Sequence, residues 1–290
     1  MQRLIFATLV VLFSVIWSSA FVVGAIVLKE MDPWTLLALR FTLVVALLLP
    51  FCMVSPAFLD VKVVQHGLAL GLLNNVLYLG LSFSALRTVR PEVVIVVISC
   101  APFVTTLIAR WWSVEPMAFK TLAGIALGFL GVVLISGIAS TQQTPDLGGL
   151  GLAAAGMLAF AAGTVVFRRH VAALPVLPTN FWQSVAAAIA LIPLAVIWGQ
   201  PLHAPSMATV LGMLYLVFVA TIGGMTLWLI LIRTSGAATA ASYHLLNPLC
   251  GLLLAYWVLG QALHLADVIG AGCIAVGLFL TMQAVEGRKP

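Results

Sequence analysis

Residues 87–134, RTVRPEVVIVVISCAPFVTTLIARWWSVEPMAFKTLAGIALGFLGVVL, align without a gap on residues 233–280, RTSGAATAASYHLLNPLCGLLLAYWVLGQALHLADVIGAGCIAVGLFL, at a constant offset of 146 in a chain of 290. Nine of the 48 pairs are identical. Leucine and alanine matches carry little weight in so apolar a sequence. Arg87/Arg233, Thr88/Thr234, Pro102/Pro248, Trp111/Trp257, Gly124/Gly270 and Gly131/Gly277 carry more, because composition alone does not repeat them. The chain therefore reads as two copies of one hydrophobic unit, and an internal repeat outranks other sequence signals. In a membrane, two halves of opposite orientation are a common basis of alternating access, with the substrate site between them. A carrier is the leading expectation.

Charged residues make up 7% of the chain and hydrophobic ones 63%, against about 25% charged in a soluble domain. From His170 to Ile232, 63 consecutive residues include no Asp, Glu, Lys or Arg. Roughly 20 apolar residues cross a bilayer core, so this stretch holds two crossings divided by the Gly199–Pro205 turn. The net charge of +5 is spread over single basic residues at segment ends, which predicts orientation signals and no nucleic-acid partner. Cys52, Cys100, Cys250 and Cys273 lie in or beside apolar segments without paired or metal-like spacing. Neither a disulfide framework, a metal site nor a cofactor is expected. The first apolar segment, Leu4–Leu28, exceeds the 7–15 residues of a signal-peptide core and reads as an uncleaved first crossing.

Ten crossings fit, at about 4–28, 33–54, 65–86, 91–111, 117–138, 147–168, 177–198, 207–232, 237–259 and 265–285. In lipid such runs must be helices, since each backbone N–H and C=O needs an internal partner. Pro33 and Pro91 stand where a first helical turn accepts proline, and Gly199-Gln200-Pro201 and Thr144-Pro145-Asp146 break longer runs. The expected fold is an all-α membrane protein of ten transmembrane helices in two inverted five-helix repeats, residues 1–140 and 146–286. With the amino terminus inside, nine basic residues collect on the cytoplasmic side (Arg3, Lys62, Arg110, Lys120, Arg168, Arg169, Arg233, Arg288, Lys289) and three outside (Lys29, Arg87, Arg90). That bias places both termini in the cytoplasm. Five crossings per half, an odd number, require the second half to enter from the opposite side.

Three stretches resemble the EamA-type branch of the drug/metabolite transporter superfamily, and within it the amino acid exporters. They are Trp17-Ser18-Ser19-Ala20-Phe21-Val22 in the first segment, Pro33 with Leu36-Leu37-Ala38-Leu39-Arg40-Phe41 in the second, and the end of each half. There Pro102 with Glu115 and Gly124, and Pro248 with Gly260-Gln261 and Gly270, are similar to the family's Pro…Gly-Glu…Gly pattern. Val114 and Gln261 depart from it, which weakens any shared charged role. The resemblance implies ten helices and a central cavity lined by helices one to four and six to nine, with five and ten peripheral. It also implies export of amino acids and related metabolites, other members carrying vitamins, sugar phosphates or nucleotide sugars.

An ionisable side chain inside a membrane segment is a functional candidate. Arg40 lies about 10 Å along its helix from Pro33, at 1.5 Å per residue. Its planar donor fork suits a carboxylate or phosphate; alternatively it ties a neighbouring helix. His244 stands with Tyr243 and Asn247 at helical spacings that allow a shared face, just before Pro248, which frees a carbonyl in the preceding turn. The first-half equivalents are Val97, Ile98 and Ala101, so this polar group is not demanded by the repeat. Asn75, Tyr78 and Ser82 make a polar stripe on the third helix, beside Asn74. Trp17, Ser18, Phe160, Thr164, Trp182, Gln183 and Trp228 complete a candidate substrate-binding set of aromatic walls with a few polar anchors.

The acidic residues, Glu92 included, fall near segment ends. Proton coupling through a mid-membrane carboxylate is not expected. No nucleophile with its base, paired carboxylates or metal cluster suggests an enzyme, and no charged ring or carbonyl filter suggests a channel. The expected function is an alternating-access exporter of amino acids or related small amphipathic metabolites in the cytoplasmic membrane. Its partners are a small-molecule substrate and the lipid bilayer, with no nucleic acid and no obligate protein partner evident. A carrier of anionic metabolites or vitamins and a lipid flippase stand as alternatives.

Overall fold

A computed structural model describes residues 2–89, 94, 97–112, 119–135, 146–171, 173–200, 204–250, 253 and 265–286. Glu92, Glu115 and the 254–264 stretch of the second repeat lie outside the described residues. Helices follow one another as α1 (Gln2–Val27), α2 (Pro33–Met53), α3 (Val61–Ala85), α4 (Ala101–Trp111), α5 (Phe119–Ile135) and α6 (Leu147–Val166). After them come α7 (Val176–Trp198), α8 (Met207–Ser235), α9 (Ala237–Ser242) and α10 (Leu265–Glu286). Six of them, α1, α2, α3, α6, α7 and α8, are long and apolar enough to cross a membrane. Apolar stretches in α5 and α10, Phe119–Leu134 and Val268–Thr281, are shorter. The protein is all-helical and multi-pass.

Helix starts follow from the few acids the sequence keeps. The Asp32 carboxylate accepts from the Trp34 and Thr35 N–H groups with Pro33 in the first turn, Asp60 accepts from Lys62, and Asp146 from Gly148 and Gly149. Each satisfies donors that a helix start leaves unpaired. Ser206 does the same for α8 through Thr209. That helix ends at Gly236, whose φ of 85° is a left-handed conformation open mainly to glycine. Large apolar side chains stand exposed along α2 (Leu39, Leu43, Leu49) and α7 (Ile189, Ile192, Val196, Ile197). On a protein in water they would be an aggregation surface; against lipid tails they face their own kind.

The packing repeats as the sequence does. α2 packs on α7, α4 on α9 and α5 on α10, each helix against its counterpart five places on, while α1 packs on α8 and α3 on α6. The α5–α10 contact is built on the repeated glycines. A Cβ at Gly124 would lie 2.5 Å from the Gly277 carbonyl oxygen, and one at Gly131 would strike the Gly270 carbonyl. Since 124 faces 277 and 131 faces 270, the two counterpart helices run antiparallel.

Both long central helices widen into π-helix at matching places. In α3 the π segment is Gly71–Tyr78 and in α8 it is Leu216–Met225. The 146-residue offset maps the first onto 217–224, inside the second. Short π turns within α-helices are rare and frequently mark functional sites. Near the two equivalent prolines the chain also leaves the α-helix, as a turn at Ser99–Cys100 and a 3₁₀ turn at Tyr243–Leu245. A proline ring crowds the carbonyl four residues back, which for Pro248 is that of His244.

Candidate functional site

His244 occupies the centre of an aromatic cage. The rings of Phe13, Trp17, Phe160 and Trp228 stand 5.1, 5.1, 4.9 and 4.8 Å from the imidazole, all near edge-on. Trp228 stacks on both Phe13 (5.3 Å) and Phe160 (5.3 Å). The cage thus joins α1, α6 and α8 around the 3₁₀ turn that carries the histidine. Asn247 donates from Nδ2 to His244 Nδ1 at 2.9 Å. With Nδ1 accepting, an uncharged ring carries its proton on Nε2. That Nε2, Asn247 Oδ1 and Trp228 Nε1 are buried with no hydrogen-bond partner. Leaving a buried polar group unpaired costs about 1–3 kcal/mol, so three together mark a place that gains by receiving a ligand's polar atoms.

Trp17 links the cage to the third helix. Its Nε1 donates to the Tyr78 hydroxyl at 3.3 Å, and Tyr78 packs on Phe160 at 4.7 Å. Ser18 on the next position donates to the Ser14 and Asn247 carbonyls at 2.7 and 2.9 Å, tying α1 to the turn before Pro248. A void of about 10 Å³ touches Ser18, Phe21, Ile98, His244 and Asn247. Ile98 and His244 are equivalent in the two repeats, so the void lies where the halves meet. A second void, of about 30 Å³, lies beyond Trp17 and Phe21 and is bounded by Arg40, Asn75, Tyr78 and Thr221. At roughly 10–15 Å³ for each water, the first has room for about one and the second for two or three. Neither void has room for a small-molecule substrate.

The remaining sequence-predicted residues divide. Arg40 is buried and donates from Nε to the Thr221 hydroxyl at 2.6 Å, bridging α2 to the π segment of α8. Asn75 is fully buried beside it with both amide atoms unpartnered. Gln183 accepts from Asn74 at 3.5 Å between α7 and α3, and Thr164 bonds back to the Phe160 carbonyl at 2.9 Å. Ser82 lies against α6, where a Cβ on Gly156 would come within 2.9 Å of its hydroxyl. Trp182 stands apart, donating to the Phe58 carbonyl at 2.8 Å and stacking on that ring. Tyr243 also turns away: its ring meets Phe6 edge-on at 6.2 Å.

Sequence reasoning missed two residues of this region. Phe13 is one of 15 phenylalanines and nothing in its apolar surroundings singles it out. Thr221 could have been found, because the repeat offset carried upstream pairs it with Asn75.

The two ends are held differently. At the end bearing Lys29 and Arg87, a cleft of about 380 Å³ opens between the α1–α2 and α7–α8 connections. Glu30 accepts from the Ser206 N–H at 2.9 Å and Asp32 from the Gln200 N–H at 3.0 Å. The Ser206 N–H, with the Ser206 and Thr209 hydroxyls, holds Glu30 below the ordinary carboxylate value. Burial pushes Asp32 up, yet its bonds from Thr35, Gln200 and Trp34 outweigh that and leave it lowered. At the other end arginines close the bundle onto carbonyls. Arg168 donates to Arg233 at 3.0 Å, Arg169 to Trp112 at 3.2 Å, and Arg233 to Leu174. The repeat partners Arg87 and Arg233 thus stand at opposite ends. The cleft is larger than either void, and Glu30 and Asp32 are bonded within it, whereas His244, Asn247 and Trp228 leave polar atoms orphaned in the buried centre.

Comparison with known proteins places the fold. A profile of the EamA-like transporter family matches residues 4–137 and 147–283. A probable amino-acid metabolite efflux pump of Salmonella typhimurium is 28% identical over 97% of this chain and 96% of its own. The inner membrane transporter YedA of Escherichia coli K12 is 25% identical over 92% of this chain and 87% of its own. A solved structure described as "Crystal structure of protein" superposes with a TM-score of 0.81 at 19% identity, covering 98% of both chains. These relatives are named as transporters and efflux pumps, not enzymes.

Proposed function

Because the chain belongs to the EamA-like transporter family, we propose that it is an alternating-access exporter of amino acids or related small amphipathic metabolites. The observation that carries this reading is the His244 cage. Elements of both repeats supply it, and it combines aromatic walls with buried, unpartnered polar atoms. Aromatic surface holds the apolar part of a small amphipathic molecule, and the Nε2–H donor and the Asn247 carbonyl acceptor suit its polar end. The name of the Salmonella relative points to the same substrate class.

The same reading assigns ten crossings, the inverted repeats 1–140 and 146–286, and both termini in the cytoplasm of a cytoplasmic-membrane protein. Antiparallel packing of α5 on α10 supports the inversion, as do Arg87 and Arg233 at opposite ends. Reporter fusions in the 140–146 and 199–206 loops are expected outside; a carboxy terminus on the outer side would refute it. The substrate class is tested by counterflow of a panel of radiolabelled amino acids in liposomes, run beside scrambling of headgroup-labelled lipid. Exchange of amino acids without lipid scrambling is the expected result. Scrambling alone would make the protein a flippase.

A further inference from the structure

The second void raises a question that the His244 cage does not answer: why an arginine is buried there. Arg40 is 5% exposed, and none of the described Asp or Glu residues forms an ion pair with it. A buried cation without a counter-ion is costly, and a threonine hydroxyl is a weak partner for it. Beside it Asn75, 0% exposed, has neither its amide nitrogen nor its carbonyl oxygen bonded. A guanidinium and an unused amide N–H bordering one small space are donors suited to an anionic acceptor, and a carboxylate fits the planar fork.

The void is also mechanically placed. Asn75 and Thr221 are equivalent residues of the two π segments, Leu79 and Met225 are equivalent residues at the ends of those segments, and all four border it. The Thr221 hydroxyl that accepts from Arg40 donates in turn to the Leu216 carbonyl at 2.8 Å, five residues back, across the π turn itself. Arg40 is therefore tied to the hydroxyl that fastens the widened turn of α8. With about 30 Å³ of space, a carboxylate enters only if these segments part.

We propose that the Arg40–Asn75–Thr221 void is the carboxylate subsite of the transported molecule, and that the substrate takes Arg40 from Thr221 and so frees the π segment of α8 to move. This rests on the export reading above and names the substrate class more narrowly: compounds bearing a free carboxylate. The ligand replaces one acceptor of the guanidinium by a charged one, and no proton or covalent bond changes hands.

The test uses the full chain in lipid nanodiscs and liposomes with three matched probes. These are L-phenylalanine, 3-phenylpropionate (no ammonium) and phenethylamine (no carboxylate). Binding and counterflow are expected with the two acids and not with the amine. Arg40→Gln should weaken binding of the acids about tenfold or more, the usual scale for losing a charged hydrogen bond, and Arg40→Lys should restore part of it. Thr221→Val removes the competing acceptor and should bind the acids at least as tightly as wild type. Melting temperatures of all variants establish that they fold. Phenethylamine moving as well as phenylalanine would overturn the subsite while leaving the carrier reading intact. A folded Arg40→Gln protein with wild-type affinity would do the same. A Thr221→Val loss equal to that of Arg40→Gln would overturn the displacement. Failure of all three probes, with no amino acid exchanged in the wider panel, would remove the export reading and this proposal together.

Discussion

The two repeats agree in backbone and disagree in side chains. Pro102 answers Pro248, the glycines of α5 answer those of α10, and the π segment of α3 answers that of α8. At the buried centre the correspondence stops. His244 faces the position of Ile98 in register, Asn247 that of Ala101, Tyr78 that of Gly224 and Arg40 that of Ala186. Packing two like halves demands the shared features, since each glycine contact needs its mirror. A substrate has no twofold symmetry, so a site made between the halves must break theirs. The residues to test for recognition are therefore those without a counterpart, and those to test for folding are the ones with it.

The largest effect is expected where the halves match. Gly124→Leu drives a side chain into the Gly277 carbonyl, which is backbone and cannot rotate away. Overpacking typically costs 1–3 kcal/mol, occasionally more, and this contact recurs along the helix pair. Loss of monodisperse protein on size-exclusion chromatography is expected. Gly272→Leu on the same helix pair is the control, because a Cβ there meets nothing within 4 Å. Equal behaviour of the two would dissolve the claim that the repeated glycines set the fold.

His244→Leu should act on transport instead. It removes an orphaned buried Nε2 but leaves Asn247 Nδ2 without its acceptor. These changes offset one another to within about 1 kcal/mol, so the melting temperature stays near wild type while counterflow falls sharply. His244→Gln, which keeps a donor and an acceptor, should retain part of the activity. Normal transport by the leucine variant would make His244 a tie between helices. A smaller signal should come from Tyr78→Cys and Asn247→Cys, in a background without the native cysteines. There a transported substrate slows thiol labelling at both positions if they border one path.

Which of these residues could be read from the sequence follows from what each signal measures. Hydrophobic length and caps located Pro33–Met53 and Val176–Trp198 to within a residue or so, because a membrane segment answers mainly to composition. Side-chain direction is another matter. Tyr243 and Asn247 are four apart and would share a face of an α-helix, but the 3₁₀ turn at Tyr243–Leu245 rotates the tyrosine toward Phe6. Likewise the stripe Asn75, Tyr78 and Ser82 runs through a π segment and into α-helix, and it divides between the Arg40 void and α6. Helical periodicity assumes 3.6 residues per turn. It fails where the chain departs from that geometry, and here those departures surround the site.

The smallest effect concerns the ends of the bundle. Carboxylates at one end accept from backbone N–H groups, and arginines at the other donate to backbone carbonyls. Glu30 and Asp32 have folded-state values below the ordinary 4.5 and 3.8. Their contribution is thus complete above those ordinary values and is lost as the pH falls through the lowered ones. Acid should therefore loosen the Glu30–Asp32 end. Asp32→Asn keeps a side chain that caps α2 well but gives up the charged acceptor for Gln200. A loss of about 1 kcal/mol or less is expected at neutral pH, with discounting because the end is open to water. The measurement is the melting temperature of wild type and variant from pH 7 down to pH 3. The two curves should converge as the wild-type carboxylate protonates. A constant gap across that range would mean that the Asp32 charge contributes nothing to the clasp.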